Sequence, residues 1–175
     1  MNSKFIALIF AVIILGSAVY FYSKLGGFSK TSMNVVSSSE YFIAGKAYKG
    51  TMKNPSFGHL FQDADTFIVK NNLKGKAWVG GVFYNNPPKD KDTLIAFIGV
   101  IVKDTLNPPG DGYSYRSIPA RKVIRANIKA HYLFAPSIYP DIEKYAQENK
   151  IQSLQVPSIE IYPSEDEVVV EVPVK

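Results

Sequence analysis

"YFIAGKAYKG", residues 41–50, and "KVIRANIKAHY", residues 122–132, stand about 81 residues apart and share one pattern. In the second, Ile124, Ala126, Ile128, Ala130 and Tyr132 alternate with Val123, Arg125, Asn127, Lys129 and His131. A period of two is what a strand with one buried face requires, because successive side chains leave opposite sides of the backbone. Two such strands at a fixed offset predict an internal duplication.

The segments that follow keep the offset. In "NPSFGHLFQDADTFIVKNN", Phe57, Leu60, Phe61, Ala64, Phe67 and Ile68 form one apolar stripe, with Asn54 as N-cap and Pro55 at the first helical position. In "PSIYPDIEKYAQENK", Ile138, Ile142 and Tyr145 stand 81 residues beyond Phe57, Phe61 and Ala64. A third element follows, "KAWVGGVFYNNPP" in the first copy and "PSIEIYPSE" in the second. Aligning Pro87 with Pro163 sets Tyr84 opposite Glu160. Each copy closes on an apolar strand, "TLIAFIGVIV" or "EVVVEVPV", and residues 103–117 carry the Gly/Pro punctuation of a linker.

The expected fold is therefore α+β. Two strand-helix-strand-strand units, about 41–103 and 118–174, build an antiparallel sheet with both helices on one face and an open groove on the other. Strand parity, with the isoleucines facing the helices, sends Ile159, Ile161, Ile124, Ala126 and Ile128 under them. It sends Glu160, Tyr162, Tyr84, Trp78, Arg125, Asn127, Lys129, Ala44, Lys46 and Tyr48 to the groove.

The first thirty residues differ in kind. "FIALIFAVIILGSAVYFY", residues 5–22, holds no charge and as a helix spans about 27 Å, enough for a hydrocarbon core. A cleaved signal peptide with Gly16-Ser17-Ala18 at its cleavage site is the rival reading. The apolar run continues through Val19, Tyr20, Phe21 and Tyr22, which favours an uncleaved single-pass anchor. Residues 1–30 form the anchor and juxtamembrane segment, 31–175 the domain, and the Gly/Ser-rich stretch 23–39 reads as a flexible tether. Lys4 and the amino terminus face Lys24 and Lys30 across the membrane, so charge alone sets no orientation.

Composition narrows the function. Of 20 basic residues three lie in the first thirty, leaving 17 against 15 acids, so a domain near +2 makes no case for nucleic acid. The absence of cysteine excludes disulfides and thiol nucleophiles, and with two histidines, His59 and His131, no metal site emerges. No cofactor is implied.

The duplicated unit, "GVFYNNPP" before a strand, and "YAQENKIQSLQVPSIEIYPSEDEVVVEVPV" at the end resemble the GyrI-like effector-binding (SHS2-repeat) domain family. An apolar N-terminal helix followed by this domain is similar to the membrane-anchored type, found in a testis-expressed ER-membrane receptor of animals and its bacterial relatives. That resemblance favours a cytosolic domain. It implies a groove that takes aromatic or cationic small molecules, with a glutamate, matched here by Glu160, as counter-charge. It also leaves open a hydrolase of strained-ring electrophiles with Glu160 as acid/base, and a membrane-tethered adaptor for protein partners. Without a DNA-binding domain the regulator role has no support.

A carboxylate left unpaired beside aromatic rings has its pKa raised by desolvation, which would suit Glu160 to either task. Tyr84, Tyr162, Trp78 and Tyr48 are candidates for a stacking wall, with Arg125 and Asn127 beside them. The plain alternatives are a solvated glutamate, a salt bridge from Arg125 or Lys129, and aromatic packing at a groove edge.

Overall fold

The computed structural model describes residues 3–73, 75–85, 92–102 and 112–175. Helix α1 spans Ser3–Lys24. It is apolar on every side, with mean hydropathy 2.4 over its best window and none of that window buried.

The chain beyond α1 is docked rather than loose. The Leu25 carbonyl accepts the His131 N–H at 2.9 Å, and Ser29 Oγ donates to the Lys129 carbonyl at 2.6 Å. The Tyr22 ring meets Phe28 and Phe134 edge-on at 4.9 and 5.6 Å. Strand β1, Ser32–Ser37, then joins the sheet. The expected flexible tether over 23–39 is thus corrected. Gly26 is there for close approach at φ +82°, where a Cβ would lie 2.6 Å from the Lys129 carbonyl oxygen.

The first unit runs β2 (Tyr41–Gly50), α2 (Pro55–Lys70), β3 (Trp78–Phe83) and β4 (Leu94–Val102). Strand β5 (Ser114–Ile118), which occupies the end of the expected linker and its junction with the second unit, leads into that unit. That unit comprises β6 (Lys122–Ile128), a 3-10 turn at Tyr132–Phe134, α3 (Ala135–Glu148), β7 (Ser158–Ser164) and β8 (Glu167–Pro173). Asn54 caps α2 as its sequence indicates, its side chain accepting the Ser56 N–H at 3.0 Å.

All eight strands form one antiparallel sheet in the order β1-β6-β8-β7-β3-β4-β2-β5, with the two units meeting at β3 and β7. The edges are exchanged. Strand β1 precedes the first unit but pairs with β6 of the second, and β5 precedes the second but pairs with β2 of the first.

Both helices lie on one face. Helix α2 buries Ala64, Phe67 and Ile68 against Val100, Val102 and Val79. Helix α3 buries Ile138 and Ile142 against Ile124, Ala126, Val168, Val170 and Tyr162. Val79 and Tyr162 are register partners, so the two cores share a side of the sheet. Each fully buried isoleucine contributes about 1.5–3 kcal/mol.

The face assignment from parity holds for part of the sheet only. Ile124, Ala126 and Ile128 lie under α3, and Trp78, Tyr84, Arg125 and Asn127 are on the helix-free face. Ile159 and Ile161 are on the helix-free face, while Glu160, Tyr162, Ala44, Lys46 and Tyr48 are on the helix side, reversing the expectation. The 81-residue alignment sets Ala44 opposite Arg125, yet these two lie on opposite faces, so for β2 and β6 the alignment is one residue out of register and every side chain changes side.

Candidate functional site

Three strands carry a glycine at one level of the helix-free face. Gly80 of β3 pairs with Gly99 of β4, which pairs with Gly45 of β2. A Cβ on Gly80 would sit 2.7 Å from the Ile101 side chain and 2.8 Å from the Glu160 carbonyl oxygen. A Cβ on Gly99 would strike the Ala44 carbonyl. With no side chains along this row the neighbouring backbones approach closely.

The centre of the helix-free face is apolar. Ile43, Val82, Phe97, Ile101, Ile159 and Ile161 are buried there, with half-buried Tyr41, Trp78, Tyr84 and Val169 packed around them. Arg116 of β5 reaches across, donating from Nη1 to the Tyr84 hydroxyl at 2.7 Å. Its guanidinium carbon stands 4.4 Å from the Phe97 ring centroid. This cation–π cover ties the edge strand to the rim.

The charged centre is Glu171 of β8, whose side chain is 0% exposed. Its Oε1 accepts the Tyr41 hydroxyl at 2.8 Å, Arg125 Nε at 2.7 Å and Arg125 Nη2 at 2.7 Å. Oε2 has no partner among the described residues, and neither do the buried Nε and Nη2 of Arg121. Burial and then the Glu171 charge push the Tyr41 hydroxyl up to about 12. Burial pulls Arg121 down against the opposing pull of Glu171 and Tyr41. Burial acts the same way on Arg125, but its bond and charge contact with Glu171 outweigh that and raise it. Asn127 pairs with Val169 on the same face, two residues along from Arg125.

Glu160 sits in a different place. It faces Gly81 and Val170 in the ladder, on the side covered by helices, and is 7% exposed. Tyr139 of α3 donates to its Oε1 at 2.6 Å, and Tyr162 donates to its Oε2. Burial raises the Glu160 carboxyl above its ordinary range, with the two hydroxyl donors pulling the other way. Tyr162 meets Phe61 of α2 at 5.8 Å, so this trio occupies the seam between the helices.

The sequence-derived set therefore divides. Trp78, Tyr84, Arg125 and Asn127 share the helix-free face; Glu160, Tyr162 and Tyr48 do not. Tyr48 packs against Phe57 at 5.0 Å with the rings tilted 48°, and donates to the Thr51 carbonyl at 2.6 Å. Asn85 of the "YNNPP" segment extends the β3–β4 ladder, accepting from Ile95 N and donating to the Thr93 carbonyl, each at 2.7 Å. Asn86 and Pro87 lie outside the described residues. Glu171, Arg121, Tyr41 and Arg116 were missed. Glu171 carries the signal that singled out Glu160, an acid inside an apolar strand, in "VVVEVPV".

Comparison with known proteins gives a family and a fold. A profile described as the GyrI-like small molecule binding domain matches residues 32–175. No curated protein sequence matches the chain. The chain is similar to the C-terminal domain of EcmrR, with a TM-score of 0.60 at 15% identity, covering 84% of this chain and 98% of that one. It is similar to SAV2435 bound to tetraphenylphosphonium, with a TM-score of 0.57 at 12% identity over 82% and 94% of the two chains. A hydrolase encoded by lin2189 from Listeria innocua shows a TM-score of 0.58 at 10% identity over 89% and 98%.

Proposed function

Since the chain belongs to the GyrI-like small molecule binding domain family, we propose that it is a membrane-anchored receptor for a small, flat aromatic molecule held in the concave face of the sheet. One observation carries this reading: the apolar helix-free face, bordered by half-buried Tyr41, Trp78 and Tyr84, holds a buried, hydrogen-bonded carboxylate at Glu171. Aromatic walls with a few convergent polar groups are the usual make-up of a small-molecule site. Trp78 and Tyr84 stack on the ligand, Arg125 and Glu171 set the polarity of the floor, and Asn127 lines its edge. That a protein of this fold holds tetraphenylphosphonium supports the aromatic part of the reading. Glu160, hydrogen-bonded to two tyrosines under α3, is shut away from this cleft and has no part in it.

Anchoring is supported by α1, whose 22 residues extend about 33 Å. It is supported too by the exposed side chains of Phe28, Tyr132 and Leu133 beside the helix exit, which continue the apolar surface onto the domain. The full chain should resist carbonate extraction from membranes with its amino-terminal residues intact.

The cleft reading is tested with Trp78, the single tryptophan, as reporter. Flat aromatic compounds should quench its fluorescence and raise the unfolding temperature of the full chain in nonionic detergent. Tyr84→Ala should lower affinity about tenfold, a loss of ~1.4 kcal/mol. Unchanged thermal stabilisation in the double variant Trp78→Ala/Tyr84→Ala would sink the assignment.

A further inference from the structure

We propose that the cleft selects an aromatic ligand bearing a carboxylate or similar planar oxyanion, and that Arg121 is the residue that grips it. This rests on the cleft reading above and deepens it by assigning the ligand's charge.

The first ground is the charge balance at the floor. Glu171 brings one negative charge, already hydrogen-bonded to Arg125 and Tyr41. Arg121 lies within electrostatic reach of the same carboxylate and of Tyr41, and brings a second positive charge. Arg116 stands over the Phe97 and Tyr84 rings on the same face. Two arginines facing one carboxylate leave an excess of positive charge, and buried N–H groups without hydrogen-bond partners are costly, so the group that completes this cluster is an anion. A cation would meet three guanidinium groups and one carboxylate already engaged through Oε1.

The second ground is geometric. The two Arg121 nitrogens that are buried and unpartnered among the described residues are Nε and Nη2. Their N–H bonds point the same way and form the side edge of the guanidinium. That edge matches the spacing of two carboxylate oxygens and takes them in parallel hydrogen bonds. Glu171 Oε2, also unpartnered, is an acceptor for a donor on the same ligand, such as a ring hydroxyl. Both nitrogens are shielded from solvent, so the ligand enters as the cleft loosens. Tyr41, half-buried and held to Glu171 by one hydrogen bond, is the rim side chain that gives way.

Three probes of one shape decide it: 2-naphthoate, its methyl ester and 2-naphthyltrimethylammonium. Each is titrated by Trp78 quenching against the full chain in nonionic detergent, with a detergent blank. The expected result is that naphthoate binds at least tenfold tighter than either other probe. Arg121→Gln should bring the anion-to-ester ratio to about one. Arg121→Lys keeps the charge but loses the two-point grip, and should retain about threefold. Thermal unfolding of both variants reports whether they fold. Tightest binding by the cation, or an anion preference that survives Arg121→Gln, overturns the inference. If the ester binds as well as the anion, the charge assignment fails and the cleft stands. If no probe quenches Trp78 or stabilises the chain, both fail.

Discussion

Tyr41 and Glu171 touch although their strands are not neighbours. Strands β2 and β8 are separated by β4, β3 and β7, about 19 Å across a flat sheet at ~4.8 Å per step. The Tyr41 hydroxyl nevertheless lies 2.8 Å from Glu171 Oε1. Only a strongly curled sheet allows this, and the Gly80, Gly99 and Gly45 row is what permits the curl. The hydrogen bond clasps the two units across the cleft.

Replacing Tyr41 by phenylalanine releases the clasp and keeps the ring. Hydrogen bonds to charged groups contribute ~1.5–3 kcal/mol, and half-exposure of Tyr41 puts this one nearer 1 kcal/mol. The contribution depends on pH in a defined direction. The folded state raises the hydroxyl from 10.0 to about 12, so it favours the neutral form. Stability from this group is therefore complete below pH 10 and lost as pH rises through about 12. Denaturant midpoints of wild type and Tyr41→Phe should differ by a constant amount up to pH 9 and converge toward 12. Ligand association should be two- to tenfold faster in Tyr41→Phe, as stopped-flow quenching of Trp78 will show.

Glu160→Gln separates the two buried glutamates. Burial raises the Glu160 carboxyl, so the folded state holds its proton more tightly than the unfolded chain does. The stability linked to this proton is complete below the unfolded value near 4.5 and is lost as pH rises through the higher folded value. Wild type should therefore gain on Glu160→Gln in urea midpoint as pH is lowered from 7 toward 4.5. Every other carboxyl is common to both proteins, so the difference isolates this group. Probe binding in the cleft should be unaltered within threefold, and a larger change would contradict the separation of the two sites.

The glycine row makes a paired prediction. Gly99→Ala places a methyl group against the Ala44 carbonyl and the Gly45 backbone, neither of which is a flexible side chain. The strands must part, at a cost of about 3 kcal/mol or more by analogy with overpacked cores. Gly58, inside α2, has open space where a Cβ would go, with nothing within 4 Å, so Gly58→Ala should stabilise by ~0.5–1 kcal/mol. Thermal melts of the two variants should move in opposite directions.

What could be read from the sequence follows from the range of the forces involved. The strand-helix-strand-strand units, the α2 stripe and the Asn54 cap are local, and they lie where the periodicity puts them. The choice of faces is not local. Parity divides Ile159 from Glu160 but does not say which side the helix covers. Because the sheet curls, both sides are apolar, and Ile159 is as buried as Ile138. The charged centre joins Tyr41, Arg121, Arg125 and Glu171, which are brought together only by sheet order. The edge strands "SMNVVS" and "SYRSI" have weak patterns, and their partners are more than a whole unit away in sequence.

Strand β1 supplies the last prediction. It covers the free edge of β6 along six register pairs, from Ser32–Asn127 to Ser37–Lys122, and puts Met33 against the α3 core. A chain beginning at Tyr41 keeps both repeated units but exposes the β6 edge and opens the packing around Met33. An uncovered edge strand is a template for association with another chain. The shortened chain should melt at least 5 °C below one beginning at Lys30 and show concentration-dependent oligomers by light scattering. A monomer of unchanged melting temperature would mean that the edge contributes nothing, and that the boundary of the folded unit lies at Tyr41 after all.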